Sequence, residues 1–108
     1  MPGLRPIPRR LLVESCLVRE PAPDGTFGGS RRIRGVRFER VQSAVDDAHR
    51  SADAGAGVLY VDAVMSAGAF EVPAGSRVDI GGRSYLAAKV SRFEATAGRV
   101  HHWEVELR

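Results

Sequence analysis

Lysine is nearly missing from this chain of 108 residues: Lys89 is the only one, and arginine supplies the rest of a positive balance that leaves a net charge of +3. A charge of that size does not mark a nucleic-acid binder. Arginine suits fixed ion pairs with a neighbouring chain better than lysine does. Cysteine is scarcer than any framework needs. Cys16 stands alone among apolar residues, which excludes an internal disulfide and reads as a small buried hydrophobe. Aromatics make up only 6% of the chain. No apolar run approaches the ~20 residues of a membrane helix, and the opening M-P-G-L-R-P-I-P-R-R has no apolar signal core. No cofactor fingerprint is visible, and no nucleophile–base constellation that would make an enzyme. Gly81-Gly82 is a hairpin turn and not a phosphate loop, because no helix with Lys-Ser/Thr follows it.

What the chain does have is strand grammar. The C-terminal stretch R-V-H-H-W-E-V-E-L-R alternates cleanly. His101, Trp103, Val105 and Leu107 fall on one face, and His102, Glu104 and Glu106 on the other. Working back from it, residues 1–8 are proline-punctuated and read as an extended arm ahead of a single domain over 9–108. Residues 11–19 read as a first strand with Leu11, Val13 and Leu17 on a shared face, and Asp24-Gly25 as the reversal after it. In residues 31–42 the apolar phase slips at Gly35, which predicts a bulge. Residues 58–64 are the most hydrophobic strand. Residues 77–93 form a hairpin about Gly81-Gly82, with Leu86, Ala88 and Val90 inward. About six short strands argue an all-β fold, a small antiparallel barrel or sandwich. Its expected core includes Leu11, Val13, Phe38, Leu59, Val61, Leu86, Val90, Trp103, Val105 and Leu107.

Residues 43–57 break that grammar. They are built of Ala, Asp, Ser and Gly and hold almost no large apolar residue, so an exposed loop is expected, with a short helix as the alternative. Arg31, Arg32, Arg34, Arg37 and Arg40 make the most basic stretch. It reads as a solvated strand face, as a subunit or connector interface, or as a contact for phosphate. His101-His102-x-Glu104 suggests a metal site. However, adjacent strand residues point to opposite faces, and His102 with Glu104 supplies only two ligands, so no metal is expected. Asp62 and Ser66 resemble a catalytic pair but lack a histidine at suitable spacing, which leaves a turn-capping carboxyl.

Taken together, G-V-L-Y-V-D-A-V-M-S (57–66), G-S-R-V-D-I-G-G-R-S-Y (75–85) and V-H-H-W-E-V-E-L (100–107) resemble a phage minor capsid protein family. Its members are similar to the head-closure, or stopper, proteins of the siphophage head–tail connector. Tyr60, Asp62, Ser66, Gly75, Ser76, His101, His102, Trp103, Glu104 and Val105 match its pattern, and P-I-P-R-R-L-L (6–12) is similar to its opening. The resemblance implies a β-barrel subunit of a ring, dodecameric by analogy, between the portal and adaptor above and the tail terminator or tail tube below. Such a ring closes the DNA channel after packaging, docks the tail, and lets double-stranded DNA pass on ejection. The subunit is then a structural virion protein, in the host cytoplasm during assembly, with no membrane partner. The resemblance also brings the loop before the central strand to the channel, which makes Asp46, Asp47, His49, Arg50 and Asp53 the expected channel residues. Two alternatives stand beside this reading. One is another connector component, an adaptor or tail-completion protein. The other is a small barrel binding single-stranded nucleic acid, which would want aromatics on an open sheet face.

Overall fold

The computed structural model describes residues 6–41 and 55–108. Six strands follow one another: β1 (Glu14–Pro21), β2 (Phe27–Arg40), β3 (Gly57–Asp62), β4 (Arg77–Ile80), β5 (Arg83–Glu94) and β6 (Val100–Leu107). Every pairing is antiparallel, and the order β1-β2-β3-β6-β5-β4 closes into a barrel. A 3-10 turn, Arg9–Leu11, leads in. The fold is therefore the all-β barrel that the strand count implies.

Two long strands make the closure possible. The first half of β2 pairs with β1 and the second half with β3, while β5 divides likewise between β4 and β6. Each must bend where it changes partner. In β2 the bend is at Gly35, which is passed over as the register steps from Ser15–Arg34 to Glu14–Val36. Gly35 has φ +68°, and a Cβ there would lie 3.3 Å from the Met65 carbonyl oxygen, so both the backbone angle and the space favour glycine. In β5 the step is at Ala88, between Ala87–Leu107 and Lys89–Glu106. Gly81 and Gly82 both have positive φ, as the primed two-residue hairpin between β4 and β5 requires.

The core is the barrel interior. Phe38, Leu59, Val61, Trp103, Val105 and Leu107 are buried there with Cys16, Val18, Ile33, Val36, Val78 and Ile80. Desolvation pushes the Cys16 thiol up to about 11, so it is an inert core group. Val90 is partly buried and packs against this cluster. Three expected core residues lie outside it: Leu11, Val13 and Leu86 are 36%, 77% and 46% exposed. Leu11 ends the 3-10 turn, and β1 starts only at Glu14, so no strand alternation governs residues 11–13. Leu12 is buried there instead, and within β1 the inward residues are Cys16 and Val18. Leu86 precedes the Ala88 bulge, which reverses the phase, so Ala87 points inward before it and Val90 after it.

Candidate functional site

Asp62 closes β3 and is fully buried. Its Oδ2 accepts the amide N–H groups of Val64 (2.9 Å) and Met65 (2.7 Å). Its Oδ1 accepts that of Ile7 (2.8 Å), across 55 residues of chain. Ser66 Oγ in turn accepts the Asp62 N–H at 2.9 Å and donates to the Gly35 carbonyl at 2.6 Å. The pair is a knot of backbone ties that joins the N-terminal segment, the turn after β3 and the β2 bulge. It does the work of a capping carboxyl, with both side chains committed to backbone groups.

The histidines differ from the expectation in one respect. His101 Nδ1 and His102 Nδ1 lie 2.8 Å apart, with the rings at 82°. Strand alternation sets where the two side chains start, but at this end of the sheet the rings turn back toward each other. His102 Nε2 also meets Glu104 Oε2 at 2.9 Å, and the ring lies flat on Phe93 with centroids 4.7 Å apart. Among the described residues no three ligating side chains converge.

Trp103 fills the interior, and its indole N–H donates to Glu71 Oε1 (3.0 Å), which also accepts from Arg92 Nε (2.6 Å). Glu71 went unnoticed in the sequence; the available signal was that a buried tryptophan N–H needs an acceptor. The Arg92 guanidinium, and after it the Trp103 indole, hold the Glu71 carboxyl below its ordinary 4.5. A depressed folded pKa contributes stability that is present above about pH 4.5 and lost as pH falls through the lower folded value. The gap in denaturation midpoint between the parent and Glu71→Gln should therefore be wide at about pH 6 and shrink toward about pH 3. A gap that stays constant would remove the carboxylate from the account.

The five arginines do not form one patch. Alternation and the Gly35 bulge distribute them over different sides of the barrel. Arg32 and Arg34 lie on the outer face that β2 shares with β1 and β4, Arg32 beside Leu17, which also pairs with Asp79. Among the described residues no carboxylate pairs with either arginine. Arg37 lies on the opposite outer face, paired with Glu39 at 3.6 Å. Arg31 sits 3.6 Å above the Phe70 ring and 3.4 Å from Glu20, and Arg40 grips Glu14 at 2.9 and 3.1 Å over the Phe38 ring. The hydrogen bonds from Arg40 hold the Glu14 carboxyl low as well. The expected channel residues Asp46, Asp47, His49, Arg50 and Asp53 lie outside the described residues.

Most aromatics serve the core: Phe38 and Trp103 are buried, and Phe70 and Tyr85 pack on it. Outside it, Phe27 lies exposed on β2, while Phe93, His102 and Tyr60 form one short cluster of rings across β5, β6 and β3. The geometry is that of a protein whose chemistry holds its own fold and whose remaining charge faces outward. A family model described as minor capsid protein matches residues 8–107. The chain belongs to that family. No curated protein and no solved structure matches it. The matched span runs from the 3-10 turn through β6, so the family's pattern covers the barrel. This minor capsid protein is a structural component of the phage particle. Of the residues that carried the resemblance, Asp62 and Ser66 form the backbone knot and Trp103 the core. The residues that suggested catalysis are thus the ones that hold the barrel together.

Proposed function

We propose that this minor capsid protein is a head-closure subunit of the head–tail connector. In that role it forms a ring beneath the portal and adaptor, retains the packaged DNA and docks the tail. One observation supports the reading most: a family match over nearly the whole chain coincides with a closed barrel in place of the helical build expected of an adaptor. The outer faces, charged and free of reactive constellations among the described residues, suit contact with protein neighbours.

The test is a phage lacking this gene. The expected result is filled heads that lose their DNA, together with unattached tails, and recovery of both defects when the protein is supplied in trans. In complemented particles, labelled protein should appear at the head–tail junction. Particles that keep their DNA and carry tails without the protein would overturn the reading.

A further inference from the structure

The barrel is electrically two-sided. In the closed order the β1–β4 pair lies opposite the β3–β6 pair, so the outer faces of these pairs point away from each other. The β1–β4 side, with the adjoining half of β2, presents Arg19, Arg32, Arg34 and Arg77 around Leu17, against Asp79 alone. Arg19 is tied to Asp79 at 3.5 Å, which leaves Arg32 and Arg34 without an acidic partner among the described residues. The β3–β6 side, with the adjoining halves of β2 and β5, carries Glu39, Glu104 and Glu106 against Arg37 and Lys89, Arg37 being paired with Glu39 at 3.6 Å. Glu104 and Glu106 line a groove of about 190 Å³ together with Val41, Val58 and Ser91. Glu106 is loosely held, since Lys89 approaches it only to 3.9 Å with both side chains more than half exposed, whereas Glu104 meets His102 Nε2 through one carboxylate oxygen, Oε2, at 2.9 Å.

An acidic groove of this size matches a guanidinium, whose planar fork of donors can engage carboxylate oxygens two at a time. The same molecule carries unmatched guanidinium groups on its far side. We infer that the Glu104–Glu106 groove of one copy receives Arg32 and Arg34 of a second copy, giving a head-to-tail contact. A contact between two different faces is heterologous, so it adds copies in one direction and closes into a ring when the rotation between neighbours allows. The inference deepens the connector reading and rests on it for its setting, but it names the surfaces that meet. Attraction between partly exposed charges weakens with salt, so association should fall as ionic strength rises.

The experiment uses reversed charges in the full chain, with circular dichroism to verify the fold. R32E/R34E makes both faces acidic, and E104R/E106R makes both basic. Each variant alone should associate at least about tenfold more weakly than the parent in low-salt sedimentation, because like charges then face each other. Mixed in equal amounts, the two should recover association, since acidic and basic copies can alternate. The neutral forms R32Q/R34Q and E104Q/E106Q should each weaken association alone, and mixing them should restore pairs but not longer chains, because only one of every two successive junctions then keeps the parent charges. Several results would overturn the contact. They are a parent that is monomeric at low salt up to about millimolar concentration, reversed variants that associate like the parent, or a mixture that stays apart. A fourth is R32E/R34E losing affinity for double-stranded DNA while still self-associating, which would make the basic face a phosphate surface. If mixing rescues association but particles lacking the protein stay closed and tailed, the contact stands and the connector reading fails. If mixing fails while the protein is found at the junction, the reverse holds.

Discussion

Asp62→Ala is expected to destabilise the barrel by about 3–5 kcal/mol, because three backbone N–H groups lose their acceptor at once. Each orphaned donor costs about 1–3 kcal/mol if it stays dry, and the loop will open to water before paying the full sum. That is a large share of the roughly 5–15 kcal/mol by which a domain of this kind is held folded. Asp62→Asn keeps one oxygen and should fall between. Urea denaturation gives the magnitude. Hydrogen exchange at the Ile7 amide gives the specific signature, since that N–H donates to Asp62 Oδ1. An alanine variant within about 1 kcal/mol of the parent would show that the knot is ornament.

Trp103→Ala is expected to cost about 3–5 kcal/mol by emptying the largest side chain from the interior. It also strands the Glu71–Arg92 pair at the surface without its indole donor. Trp103→Phe separates the two effects: most of the buried area stays and only the hydrogen bond goes, at about 1–2 kcal/mol. His102→Ala, one residue away on the outer face, should cost less than about 1 kcal/mol, losing a stack on Phe93 and a contact with Glu104. Equal losses for Trp103→Ala and His102→Ala in chemical denaturation would contradict the assignment of inward and outward faces.

The strands were readable because alternation is a local signal. β6 shows it without interruption, and Gly35 and Gly81-Gly82 announce their backbone angles through residue type. The Ala88 bulge announces nothing. An alanine fits either phase, so an unbroken count put Leu86 inside when the chain turns it out. Leu11 and Val13 misled for a related reason: apolar residues just before a strand need not share its period. The acidic groove was out of reach for a different cause. Glu104 and Glu106 read correctly as outward, but Ser91 and Val58 come beside them only through cross-strand register, which no single segment encodes. The Asp62–Ser66 spacing was visible, whereas its reach to Ile7 and Gly35 depends on the closed fold.

Because the six strands close on themselves, each strand of the described barrel has a neighbour on both sides along part of its length. Only short one-sided stretches remain, such as the first half of β2 and the second half of β5. Strand addition, the route by which open sheets polymerise or template fibres, therefore finds no full-length edge among the described residues. Contacts made through side chains form and part without any strand being unzipped, so such a subunit can shift against its neighbours while each barrel stays whole.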